Sequence, residues 1–166
     1  LLPDGWPKRP TWIVAVRTND GRRIVFGRDD VAGTVGQATQ ASAAIPAFYT
    51  PVRIGDRSYV DGALHSSTNA DLVATLGFDL VIISSVKTAT PDARSWRSDP
   101  ERAWFSNKLD NELAEIRSTG TPAIVIEPDD TQLELLASGE RADACLAGRL
   151  AAERVLATSE GAGLRS

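Results

Sequence analysis

The 166-residue sequence contains no methionine, one cysteine, one histidine and no Gly-x-Ser-x-Gly segment. With no methionine and an opening of Leu1-Leu2-Pro3, the chain is expected to be a piece of a longer polypeptide or a processed product. Cys145 alone cannot build an internal disulfide framework, and its alanine- and leucine-rich surroundings read as a helix in which it serves as a small buried hydrophobe. The absent Gly-x-Ser-x-Gly removes the sharp strand-to-helix turn on which many hydrolases expose a serine hydroxyl. No apolar run approaches the roughly 20 residues that cross a bilayer, and the start lacks a charged leader followed by an apolar core. A cytoplasmic place, or a peripheral one at a membrane, is the expectation. The formal net charge of −4 includes no surplus of basic residues, so a phosphate backbone is not an expected partner and nucleic acid is set aside.

What is present is a chain with 42% hydrophobic residues, long enough to bury a sizeable core in one globular unit. Residues 1–11 hold Pro3, Pro7 and Pro10 and read as extended, because each proline pushes its predecessor out of the helical region. Two strand-like runs, 12–16 and 23–26, flank Asn19-Asp20-Gly21 and predict a β-hairpin. An alanine-rich helix follows over 35–44, stopped by Pro46, with short strands at 52–54 and 58–60 around the Gly55-Asp56 turn. Asn69 reads as the N-cap of a helix over 70–76 that Gly77 ends. The apolar runs at 80–85 and 123–126 suit strands buried on both faces of a parallel sheet. Residues 87–99 read as a loop. A helix beginning at Pro100 carries the stripe Phe105, Leu109, Leu113, Ile116, and a last helix spans about 140–157 before a Gly-containing tail. Strands alternating with helices after residue 34 predict the α/β class: a layered α/β/α sheet, mostly parallel, with an N-terminal β-hairpin.

Few residues could carry chemistry. Asp61 is a carboxylate at the C-terminal end of a short strand, before a glycine that leaves space around it, which is where open α/β sheets present reactive groups. Asp-Gly is equally a common turn dipeptide, and those two residues alone leave both readings open. The Asp29-Asp30 and Asp129-Asp130 pairs lack calcium-loop spacing and a histidine partner, so they read as solvated turn acids and no metal or other cofactor is expected. Gly33 and Gly36 do not make a phosphate loop, since no lysine-serine or lysine-threonine pair follows. Trp96, Trp104 and Phe105 could touch acyl chains or a membrane surface, although packing is the plainer role.

The order of several segments tips the reading of Asp61 toward chemistry. Trp6-Pro7, the hairpin, Ala41-Ser42-Ala43-Ala44-Ile45-Pro46, Tyr59-Val60-Asp61-Gly62-Ala63, Asn69-Ala70-Asp71 and the strand over 81–85 together resemble the patatin-like phospholipases, the lipid acyl hydrolases. The resemblance covers about half the chain, and residues 86–166 follow it only in outline. It implies that 1–166 is the C-terminal part of a single patatin-like α/β domain, with the Gly-x-Ser-x-Gly segment and the glycine-rich oxyanion loop supplied by residues outside this sequence. It also implies a serine-aspartate dyad that cleaves acyl esters of lipids, with Asp61 as proton acceptor and Gly62 and Ala63 completing the Asp-Gly-Ala motif. The implied partners are a lipid or acyl ester substrate, the nucleophile-bearing segment or a second copy covering an exposed apolar edge, and a peripheral membrane contact. Without that nucleophile the 166 residues are expected to be inactive. A carboxylate is a weak base for a hydroxyl, so such a dyad calls for a desolvated site.

His65, four residues after Asp61, invites a Ser-His-Asp triad through Ser42, Ser66 or Ser67, but none of these serines lies on a recognisable nucleophile turn. His65 reads instead as a loop anchor, and Ser42 as a small residue that lets the helix approach the Asp61 strand. The alternative from another class is a non-catalytic α/β binding or interaction domain.

Overall fold

The computed structural model describes residues 5–86, 100–137 and 139–158, and these fall into two compact units, 1–69 and 70–166. The expected loop over 87–99 with Trp96, and the tail from 159 onward, lie outside the described residues.

In the first unit, β1 (Ile13–Arg17) and β2 (Arg23–Phe26) pair as the predicted antiparallel hairpin. Gly21, at φ +68, supplies the left-handed residue that the turn requires. The turn is further tied by Asp20, whose carboxylate accepts from the Arg22 N–H at 3.2 Å and from Arg17 Nε at 3.0 Å. Helix α1 (Val35–Ser42) starts at a capping box: Thr34 Oγ1 accepts from the Gln37 N–H at 3.2 Å, and Gln37 Oε1 accepts from the Thr34 N–H at 3.0 Å. Val35, Ala38 and Ala41 recur at helical spacing and form its buried face, and two of the three are alanines that permit a close approach to the sheet. Strands β3 (Val52–Ile54) and β4 (Arg57–Asp61) then form a second hairpin through Gly55, at φ +62.

The strands lie in the order β2-β1-β4-β3, each pair antiparallel. This corrects the expectation of a mostly parallel sheet. Alternation of strand and helix suggested crossovers, but β3 and β4 are joined by a two-residue turn, which permits only antiparallel neighbours. Cross-strand partners share a face. Ile13 with Phe26, Ala15 with Ile24 and Asp61, and Tyr59 with Val52 therefore belong to one face. On that face Ala15, Ile24, Phe26, Ile54 and Tyr59 pack with Ala38 and Ala41 of α1, and the Phe26 and Tyr59 rings meet edge-on at 5.2 Å. Burying each large apolar side chain stabilises the fold by about 1.5–3 kcal/mol.

In the second unit, β5 (Val81–Ser84) and β6 (Ala123–Ile126) pair in parallel, as expected for these two runs. Helix α2 (Pro100–Ser118) buries Phe105, Leu109, Leu113 and Ile116, the predicted stripe. Strand β5 differs from its reading: Val81 and Ile83 are buried while Ile82 is 59% exposed, so only one face is covered among the described residues. The expected helix over 70–76 is a short 3₁₀ turn, Ala70–Val73. Asn69 does not cap it. The Ala70 N–H is taken by Glu112 Oε2 of α2 at 3.0 Å, and Glu112 is itself buried.

Helices α3 (Asp130–Ala137) and α4 (Arg141–Ala157) follow. Helix α3 was not anticipated, yet its start carries a capping signal. Asp129 Oδ1 accepts from the Gln132 N–H, and Gln132 Oε1 accepts from the Asp129 N–H, both at 3.0 Å. Cys145 is exposed, which corrects its assignment as a buried hydrophobe. The buried face of α4 runs through Ala147 and Ala151, and Cys145 lies off it.

Candidate active site

Strand β4 ends at Asp61, beside the central strand β1, with Asp61 opposite Ala15. The Asp61 N–H donates to the Ala44 carbonyl at 3.0 Å, which ties the end of the strand to the segment leaving α1. Beyond Asp61 the backbone turns into the 3₁₀ segment Gly62–Leu64, and Asp61 Oδ1 accepts from the Ala63 N–H at 2.8 Å. One carboxylate oxygen thus caps the turn. Oδ2 has no hydrogen-bond partner among the described residues. Asp61 is half-buried, a position that removes part of its water without enclosing it.

Gly62 is buried against β1: a Cβ there would lie 2.9 Å from the Val14 carbonyl carbon and closer still to its oxygen. Only glycine lets the chain turn so tightly under β1. Ala63 contributes the backbone N–H that fixes Oδ1, so the three residues of the motif have separate parts: acceptor, close approach and donor.

The loop continues through His65, whose backbone N–H donates to the Gly62 carbonyl at 3.0 Å. Ser66 is 1% exposed, and its Oγ accepts from the N–H groups of Thr68 at 3.2 Å and Asn69 at 3.1 Å. An enclosed hydroxyl whose lone pairs are occupied is a structural serine and a poor nucleophile. Ser67 Oγ is buried with no partner among the described residues. Ser42, half-buried, is the last residue of α1, the helix that packs on β1, β3 and β4.

Several of the remaining sequence candidates have structural partners. Asp29 accepts from the Val25 N–H and from Arg28 Nε, both at 2.9 Å, and closes the end of β2. Asp129 caps α3 and also accepts from Arg154 Nη1 at 2.8 Å. Phe105 is buried and meets Trp104 edge-on at 5.0 Å, while Trp104 is partly exposed beneath Lys108. Gly33 packs against Ile54 and Phe26.

Sequence reasoning did not single out the turn over 45–49. Ile45, Phe48 and Tyr49 are exposed, Phe48 by 81%, and the turn begins one residue after the Ala44 carbonyl that holds Asp61. The N–H groups of Phe48 and Tyr49 both donate to the Ile45 carbonyl, and Ala47 adopts a left-handed φ of +68. Leu64, on the other side of Asp61 in the chain, is also exposed. Exposed large apolar side chains held in a defined turn are an uncommon use of surface. The sequence signal was available in Ile-Pro-x-Phe-Tyr, where a proline ends the helix and puts apolar residues in a loop.

Residues 5–74 match the family model described as Patatin-like phospholipase. The matched stretch includes the whole antiparallel sheet, α1, Asp61 and the loop after it.

Proposed function

We propose, on the premise that residues 5–74 belong to the patatin-like phospholipase family, that Asp61 is the general base of a serine-aspartate dyad that hydrolyses acyl esters of lipids. The observation that carries the reading is the division of labour at the carboxylate: Oδ1 is fixed by the Ala63 N–H, and Oδ2 is left to take a proton.

In this reaction a serine from a segment outside these 166 residues attacks the ester carbonyl carbon. Its hydroxyl proton passes to Asp61 Oδ2, and the carbonyl oxygen takes the negative charge. Collapse of the intermediate expels the alcohol, which recovers the proton from Asp61 and leaves an acyl-serine. Water, deprotonated in turn by Asp61, attacks the acyl-serine; the fatty acid is released as the serine oxygen leaves and takes that proton back from Asp61. A positioned base contributes about 10²–10⁴-fold, and each oxyanion donor from the glycine loop about 3 kcal/mol. The exposed Ile45, Phe48, Tyr49 and Leu64 support the same reading, since acyl chains and the nucleophile-bearing segment must both approach Asp61.

The test is turnover of short- and long-chain nitrophenyl esters and of phospholipid by the protein containing both this sequence and its nucleophile segment, with the 166-residue chain as control. Turnover by the first and silence from the second is the expected result. Equal turnover by both would place the nucleophile inside these residues and refute the proposal.

A further inference from the structure

A series of hydrogen bonds returns the loop after Asp61 to the sheet from which it leaves. Its first link is Asp61 Oδ1 to the Ala63 N–H at 2.8 Å, followed by the N–H groups of His65 and Ser66 on the Gly62 carbonyl at 3.0 and 3.3 Å. Ser66 Oγ then gathers the N–H groups of Thr68 and Asn69, and Asn69 Nδ2 donates back to the Ser66 carbonyl. Finally Arg23 Nη1 of β2 donates to Asn69 Oδ1 at 3.3 Å, across 46 positions in sequence. Arg23 stands opposite Val16 on β1, and Val16 stands opposite Val60, the residue before Asp61. Both ends of the loop are therefore fastened to one cross-strand row.

The last links are unusual for a solvent-facing connection. Ser66 and Asn69 are 1% and 8% exposed, and Asn69 holds a φ of +50. Left-handed backbone is sparsely populated by non-glycine residues and persists where the surroundings over-determine it. Asparagine is the side chain best suited to that conformation, and here its amide also engages two partners at once. A loop needed only to connect β4 to the next segment would need neither the strain nor a guanidinium on the asparagine.

We propose that Asn69, with Ser66 and Arg23, is a positioning assembly for Asp61: it holds the 62–69 loop so that the Ala63 N–H stays on Oδ1 and Oδ2 stays presented. The inference rests on the proposed role of Asp61 for its functional half, and on geometry alone for its structural half.

Two readouts separate those halves. The first is hydrogen exchange of the Ala63 amide in the 166-residue chain. Asn69→Ala and Arg23→Ala should each speed it by about tenfold or more while the β1–β2 ladder amides keep their protection, and Arg23→Lys, which retains a donor, should restore most of it. Asn69→Gly keeps the backbone freedom but removes the amide, so it should behave as Asn69→Ala does. The second readout is ester turnover by the nucleophile-containing protein, where the same alanine variants should lower kcat about ten- to a hundredfold with KM changed less than about twofold, because a small misplacement of a catalytic group has that cost. Unchanged Ala63 exchange overturns the assembly, and faster exchange with kcat unaltered overturns its role in positioning Asp61 for catalysis. Wild-type protein silent toward every ester would contradict the hydrolase reading and leave the exchange result to decide the assembly.

Discussion

Gly62 and Val14 lie in such close contact that the residue after Asp61 has no room for a side chain: an added Cβ would sit 2.9 Å from the Val14 carbonyl carbon. The contact is between backbones, so no side-chain rotation can relieve it. Gly62→Ala should destabilise the first unit by about 1–3 kcal/mol, the ordinary cost of overpacking a buried site, as measured by urea unfolding. Gly36→Ala is the control. Its Cβ would meet nothing nearer than Thr34 Oγ1 at 3.8 Å, and alanine in a helix should be neutral or stabilising by up to about 1 kcal/mol. Equal effects of the two would contradict the close approach.

Glu112 should be essential to the second unit. Its buried carboxylate accepts from the Ala70 N–H, and truncation leaves that donor without its acceptor. Glu112→Ala is expected to cost about 1–3 kcal/mol, with Glu112→Gln recovering part of it through the side-chain carbonyl. Thermal unfolding of the two variants checks this.

The Arg17 guanidinium donates to Asp20 and holds its carboxyl down to about 2, from an ordinary value of 3.8. A depressed folded-state value means that the contribution is complete above about 4 and is lost as pH falls toward 2. Because the pair is exposed, the effect on stability is small and screened by salt. In a carbon-detected titration the Asp20 carboxyl midpoint should lie near 2, and in Arg17→Ala it should move up toward the ordinary carboxylate value.

Local chemistry explains what was legible in the sequence. Asn19-Asp20-Gly21, Gly55-Asp56 and the Pro46 stop each specify their own geometry, and the hairpins and α1 fall where those residues place them. Motif order, more than any single residue, pointed to Asp61, and its expected place at the end of a short strand is where β4 ends. What escaped is non-local. The pairing of β4 with β1 is decided by a shared core of Ala15, Ile24, Phe26 and Tyr59, which no window of sequence displays. The cap of the 70–73 turn comes from Glu112, 42 positions away, and so displaced the local candidate Asn69. Asn69 itself turned out to bind Arg23, a long-range bond with no sequence signature. The capping residues Asp129 and Gln132 are local, but an aspartate pair signals a turn as readily as a helix start, so the pattern alone does not announce α3.

The most direct test of the account is Asp61→Asn in the nucleophile-containing protein. Asparagine can still accept the Ala63 N–H through its side-chain oxygen, so the turn is kept while the base is removed. The expected result is unchanged circular dichroism and unfolding, substrate still bound, and ester turnover reduced about 10²–10⁴-fold. Turnover within about twofold of wild type would show that Asp61 is only the cap of its turn, and would contradict the proposed dyad.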